Sequence, residues 1–158
     1  MKKLTFLAVL AVTAMAASAV PAGDTPWFDL ANCSFCKSMS QEPGLMDHIS
    51  WENHKIANGM ISVTVVDPEY KEAWDRAHMG MMEAAKKLES GEQMPVCGFC
   101  NSYGMLKMAG ATCDYVETSV GLVYTMTSDN EELIQKIHAH TDKTNEEYAK
   151  MMAAEAKS

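Results

Sequence analysis

The chain has 158 residues, a formal net charge of −8 and 47% hydrophobic residues. This length suits one domain with a proper core. The acidic balance argues against binding to nucleic acid or to an anionic membrane surface, whereas it favours cations.

The first residues predict a secretory signal peptide over residues 1–19. Lys2 and Lys3 precede an apolar stretch that runs to about residue 17, and small residues follow it, including Ala19 and Ala22. A basic start, a short apolar region and small residues at the cleavage site are typical of such a signal, and the stretch is short for a membrane span. We therefore expect cleavage after residue 19 or 22, a net charge of −10 for the rest, and a periplasmic or secreted protein without membrane attachment.

The first half of the remaining chain opens with the motif Cys33-Ser-Phe-Cys36. A short helix is predicted over residues 38–46. Segments rich in Ile, Val and Thr predict strands over 50–56 and 60–66, with Asn58-Gly59 as the turn because both residues tolerate positive φ.

A long helix is predicted after Asp67, which suits an N-cap, with Pro68 at the first helical position. Apolar residues three and four apart predict its buried face: Tyr70, Trp74, Ala77, Met81, Ala84 and Leu88. Gly91 ends this helix, and residues 90–95 link the two halves.

The second half repeats this order. Cys97-Gly-Phe-Cys100 precedes a predicted helix over 102–108, and strands are predicted over 113–118 and 122–127 with a turn near Gly121. A helix follows Asp129, with a weaker apolar face: Leu133, Ile137, Thr141, Tyr148 and Met151.

Several landmarks recur at a nearly constant offset. The segment from Gly59 aligns with the segment from Gly121 at an offset of 62, and the cysteine motifs match at 64. We therefore predict one domain over 20–158, built of two repeats at about 27–91 and 92–155. Two αββα units predict an α+β fold in which a four-stranded antiparallel sheet carries helices packed on it, with a ferredoxin-like flavour.

Paired thiols two residues apart favour metal binding, with Cys33, Cys36, Cys97 and Cys100 as ligands. Brought together across a pseudo-twofold axis, they would offer four thiolates, a set that suits Zn²⁺ or Cu(I). The predicted function is that of an exported carrier or sensor of a soft metal ion, without turnover chemistry.

Thiol–disulfide exchange is the enzymatic alternative. Cys97-Gly-Phe-Cys100 resembles the active-site tetrapeptides of thioredoxin-like oxidoreductases, which implies a leading thiolate at a helix N-terminus. The resemblance covers four residues. A thioredoxin motif follows a buried strand, whereas Cys97 follows the polar linker Glu92-Gln93-Met94-Pro95.

The third alternative is an interaction domain in which disulfides within each motif close tight turns. Five cysteines leave one thiol over, and Cys113 is the candidate. A homodimer could then form through Cys113 or through a sheet edge.

Two histidines are further candidate metal ligands. His78 and His140 occupy equivalent positions on the two long helices, at the border of the apolar stripe. Met79, Met81 and Met82 lie within a turn of His78, and Cu(I) accepts both imidazole and thioether ligands. Core packing is the alternative role for these methionines.

Overall fold

The computed structural model describes residues 25–155, so the predicted signal peptide lies outside the described residues. The elements, in chain order, are α1 (Lys37–Ser40), a 3₁₀ turn (Leu45–His48), β1 (Ile49–Ile56), β2 (Gly59–Val66), a second 3₁₀ turn (Pro68–Tyr70), α2 (Lys71–Glu89), α3 (Gly98–Met108), β3 (Thr112–Thr118), β4 (Gly121–Thr127) and α4 (Glu131–Glu155). Within the described part of the chain, no helix is long and apolar enough to cross a membrane.

The four strands form one antiparallel sheet in the order β1-β2-β4-β3. The two hairpins therefore meet through β2 and β4, and Ser62 lies directly opposite Tyr124 at this junction. The predicted α+β class and the four-stranded antiparallel sheet are confirmed. Internal duplication and the likeness to ferredoxin-like folds stay predictions.

Two glycines allow β2 and β4 to approach closely. Gly59 has a φ of +155°, and a Cβ added there would lie 2.0 Å from the carbonyl oxygen of Met126. Gly121 has a φ of +148°, and its Cβ would lie 2.1 Å from the carbonyl oxygen of Thr64. The predicted turn at Asn58-Gly59 is therefore wrong by one residue: residues 57–58 form the turn, and Gly59 is the first residue of β2.

The helices next to the cysteine motifs differ from their predicted lengths. The helix predicted over 38–46 ends at Ser40, because Pro43 and the left-handed Gly44 (φ +76°) cannot continue it. The helix predicted over 102–108 begins earlier, at Gly98. Backbone carbonyl groups from the N-terminal segment accept hydrogen bonds from its first N–H groups, which would otherwise lack partners.

The core lies on one face of the sheet. On β2, Met60, Ser62, Thr64 and Val66 are buried, as period-two alternation requires. One cluster joins this face to α3 and α4 through Met60, Leu106, Ala111, Met126, Leu133 and Ile137, and a second joins it to α2 through Leu45, Val66, Trp74 and Ala77. The predicted faces of α2 and α4 are thus buried at their centres, while Leu88 at the end of α2 is exposed.

Candidate metal centre

Both cysteine motifs adopt the same local turn. The N–H of Lys37 donates to the carbonyl oxygen of Cys33 (3.0 Å), and the N–H of Asn101 donates to that of Cys97 (2.9 Å). Two residues between the cysteines therefore place both sulfurs on the same side of a turn, as a chelating pair requires.

Backbone hydrogen bonds hold the two motifs against each other. Gly98 and Phe99, in the first turn of α3, donate to the carbonyl oxygens of Pro26 (3.0 Å) and Trp27 (2.9 Å). In return, the N–H of Ser34 in the first motif donates to the carbonyl oxygen of Pro95 (2.9 Å), just before the second. The N-terminal segment is thereby fixed alongside the start of α3.

The four sulfurs form one compact group, and all lie within 4.8 Å of one another. Three of the contacts join one motif to the other: Cys33 to Cys100 at 3.6 Å, and Cys36 to both Cys97 and Cys100 at 3.7 Å. A tetrahedron of thiolates with metal–sulfur bonds of about 2.3 Å has edges of about 3.8 Å. The group therefore already has the dimensions of a mononuclear tetrathiolate site.

The site is buried in apolar surroundings. Cys33 and Cys97 are 1% exposed and Cys36 is 9% exposed, whereas Cys100 is partly exposed. Leu30, Phe35 and Phe99 pack around the sulfurs. Because uncompensated thiolates are costly in such a place, the group needs either protons or a cation.

The thiols share their protons unequally. Hydrogen bonds with Cys100, and then with Cys36 and Cys97, lower the pKa of Cys33. A hydrogen bond from Cys100 lowers the pKa of Cys97 to about 6. The pKa of Cys100 itself is raised, first by its hydrogen bond with Cys33. Hydrogen bonds within the group thus stabilise some of the cysteines as thiolates. A bound cation would allow the remaining thiols to ionise as well.

All five cysteines have free thiols, so the predicted disulfides within each motif are not present. A disulfide needs sulfurs about 2.05 Å apart, well below the distances between the motifs. Cys113, the predicted leftover thiol, lies on β3 outside the group of four, with its sulfur 3.9 Å from the carbonyl oxygen of Ala111.

His140 lies near the site without belonging to the sulfur group. It is 4% exposed, its ring lies 5.2 Å from that of Phe99 and 5.6 Å from that of Trp27, and its Nδ1 is 2.8 Å from Ser102 Oγ. Burial lowers the pKa of His140 to about 4, so the imidazole is neutral near pH 7.

His78 occupies a different environment. Its ring stacks on that of Trp74 at 5.9 Å, and Nδ1 lies 3.8 Å from a carboxylate oxygen of Glu117. Met81 packs against the core cluster that contains Trp74 and Ala77, whereas Met79 and Met82 are exposed. The group of possible ligands found among the described residues consists of the four cysteines. The metal roles of His78 and His140 stay predictions.

Three features of the site were not predicted from the sequence. The backbone carbonyl groups of Pro26 and Trp27 accept the first hydrogen bonds of α3, and Ser102 is the hydrogen-bond partner of His140. The packing of Phe35 and Phe99 had a visible signal, since both motifs read Cys-x-Phe-Cys.

No protein-family model, no curated protein and no solved structure matches this chain.

Proposed function

We propose that the protein is an exported metal-binding protein that holds one Zn²⁺ ion, or one Cu(I) ion, at Cys33, Cys36, Cys97 and Cys100. The observation that carries this proposal is the group of four sulfurs, with contacts of 3.6 to 3.7 Å between the motifs. Zn²⁺ is the first choice, because a complete tetrahedral set of four protein ligands is typical of structural zinc sites. Cu(I) is the alternative, since it also selects thiolates.

The site joins parts of the chain that are far apart in sequence. Cys33 and Cys36 belong to the N-terminal segment, whereas Cys97 and Cys100 flank the start of α3. A bound ion would therefore tie this segment to the helical body, and its binding free energy would add to the stability of the fold. Burial of three of the four ligands favours a retained ion over rapid exchange.

Metal analysis of the full chain tests the proposal. Protein purified without oxygen should contain one Zn²⁺ or Cu(I) ion per chain and one titratable thiol, Cys113. Replacement of the ion by Co²⁺ should give the intense visible absorption and thiolate charge-transfer bands of a tetrahedral tetrathiolate.

Single substitutions identify the ligands. Loss of a residue that only hydrogen-bonds to a metal ligand already costs about 10–100-fold in metal affinity. Cys100→Ser removes a ligand itself and should therefore weaken binding by more than about 100-fold. Cys113→Ser is the matched control and should bind normally. If the fully reduced protein binds neither ion at micromolar concentration, or if Cys100→Ser binds as well as the control, the proposal is wrong.

Thiol–disulfide exchange is a second candidate, favoured by the position of Cys97. This residue is the N-cap of α3, and its pKa is lowered to about 6, as expected of an attacking thiolate. Its 1% exposure opposes attack on a macromolecular partner. Reduction of insulin by the reduced protein, lost in Cys97→Ser, would favour this function over metal binding.

Export is supported by the sequence of residues 1–22 and is tested by intact mass spectrometry of secreted material. Cleavage after residue 19 or 22 is the expected result, and a secreted mass that retains Met1–Ala19 would contradict it.

We further propose that the two halves arose by internal duplication, each contributing one motif to the shared site. The proposal is supported by the pairing of Ser62 with Tyr124, which are equivalent at the offset of 62. A twofold axis relating the halves would pass through such a pair. The roles of Gly59 and Gly121 agree: each approaches a carbonyl oxygen, and these oxygens belong to Met126 and Thr64, again 62 positions apart.

A further inference from the structure

The four cysteines are also placed so that disulfides can form between the two motifs. Cys33 and Cys100 have their sulfurs 3.6 Å apart, and Cys36 and Cys97 have theirs 3.7 Å apart. These two pairs use every thiol of the group once. We infer that a low-molecular-weight disulfide oxidises the site to Cys33–Cys100 and Cys36–Cys97, and that the metal ion is released as these bonds form.

The inference deepens the proposed function, because the release step presupposes a bound ion. The pairing itself requires only the geometry of the sulfurs, so the two ideas can fail separately.

The relative exposure of the thiols indicates where oxidation starts. Cys33 and Cys97 are 1% exposed and Cys36 is 9% exposed, so a reagent in solution meets Cys100 first. Around Cys100, two sulfurs of the first motif lie within 3.7 Å, ready to attack a mixed disulfide formed there. Both cysteines of the first motif are therefore close enough to attack a mixed disulfide at Cys100.

The reaction balances as two thiol–disulfide exchanges per bond formed. In the metal-loaded protein, where the ligands are thiolates, Cys100 attacks one sulfur of the oxidant, which forms a mixed disulfide and releases one small thiolate. The Cys33 thiolate then attacks the Cys100 sulfur and releases the second. Two protein thiolates have given up two electrons, one oxidant disulfide has been reduced, and the ion has lost two ligands. Cys36 and Cys97 react in the same way with a second oxidant molecule.

Proximity favours the bonds between motifs. The sulfurs of Cys33 and Cys100 are 3.6 Å apart and those of Cys36 and Cys97 are 3.7 Å apart, so little movement is needed to join either pair. Because all four sulfurs lie within 4.8 Å of one another, exchange among them lets the protein reach this pairing. Once formed, these bonds join residues 67 and 61 positions apart and would constrain the unfolded chain more than loops within Cys-x-x-Cys.

Trypsin cleavage separates the two outcomes cleanly. Cleavage after Lys37 leaves Cys33 and Cys36 in the N-terminal peptide, and cleavage after Lys87 and Lys107 leaves Cys97 and Cys100 in the peptide 88–107. Bonds between motifs therefore link two peptides, whereas bonds within motifs leave each peptide separate and two hydrogen atoms lighter.

The experiment uses the full chain carrying Cys113→Ser, loaded with Zn²⁺ and treated with excess oxidised glutathione. Released Zn²⁺ is followed with a chromogenic chelator, and the product is digested without reductant for mass spectrometry. The expected result is one linked peptide pair lacking four hydrogen atoms, formed as Zn²⁺ appears. Separate looped peptides, or peptides still reduced after Zn²⁺ release, would overturn the inference.

Two further samples keep the outcomes distinct. The metal-free reduced protein should give the same linked pair, so a protein that binds no metal still tests the pairing. Cys100→Ser in the Cys113→Ser background should form one link, between Cys36 and Cys97, which fragmentation of the linked peptides distinguishes from a link between Cys33 and Cys97. If this variant instead forms a loop between Cys33 and Cys36 in the N-terminal peptide, the assigned pairing is wrong.

Discussion

Protonation of His140 should make the fold less stable in mildly acidic solution. The side chain is 4% exposed and lies between the rings of Trp27 and Phe99, and its burial lowers the pKa to about 4 from the ordinary histidine value of 6.5. Above pH 6.5, His140 is neutral in both states and costs no stability. Below it, the unfolded chain takes up the proton while the folded protein resists, so the free energy of unfolding falls as pH falls towards 4.

The size of the effect follows from the shift. Each pKa unit corresponds to about 1.4 kcal/mol, so the full loss is roughly 3 kcal/mol below pH 4 and about 2 kcal/mol at pH 5. For a domain of this size, a loss of 2 kcal/mol lowers the melting temperature by roughly 6–8 °C.

The measurement compares the metal-free, reduced protein with His140→Gln in urea titrations at pH 7 and pH 5. Gln cannot take up a proton, and its amide can still reach Ser102. We expect the wild-type protein to lose about 2 kcal/mol more than His140→Gln over this interval. His54→Gln, at a side chain that is 60% exposed, is the control and should follow the wild type. Equal losses in the wild type and in His140→Gln would refute the argument.

Two further predictions concern the strand junction and the metal. Gly59→Ala and Gly121→Ala should each lower the free energy of unfolding by about 3 kcal/mol or more in chemical denaturation, because a Cβ would meet a carbonyl oxygen at 2.0–2.1 Å. Gly104→Ala, in α3 with open space around it, should be neutral or stabilising by up to about 1 kcal/mol, and a similar loss in all three would contradict this account. Removal of the metal by a chelator should lower the melting temperature of Cys113→Ser but leave that of Cys100→Ser unchanged, since only the former retains the complete site.

The strands and the thiol set could be predicted because their signals are local. Alternation of Ile, Val and Thr located β2 and β4 to within one residue, and the two-residue spacing of each motif fixed a chelating turn. The meeting of the two motifs followed from their recurrence in a chain that folds as two hairpins side by side.

The helix boundaries near the site could not be predicted, since they depend on distant contacts. α3 begins at Gly98 because carbonyl groups of Pro26 and Trp27 accept its first N–H bonds, and nothing near Gly98 in the sequence announces these partners. The early end of α1 could have been predicted, because Pro43 and Gly44 both break helices. The helix predicted over residues 38–46 ran through these two residues.

The predicted equivalence of His78 and His140 shows where the proposed repeat stops being informative. In the proposed duplication, the glycines and the cysteines keep equivalent positions because close backbone approach and the proposed chelation would constrain them in both halves. The helices face no such constraint: α4 extends over 25 residues and contacts β1, β2 and β4, whereas α2 has 19 residues and packs on Leu45 and Val66. His140 therefore becomes buried beside the second motif, while His78 stacks on Trp74 near β3. A shared role at the metal would need both rings near the sulfurs, and only His140 packs against a residue of a motif, Phe99.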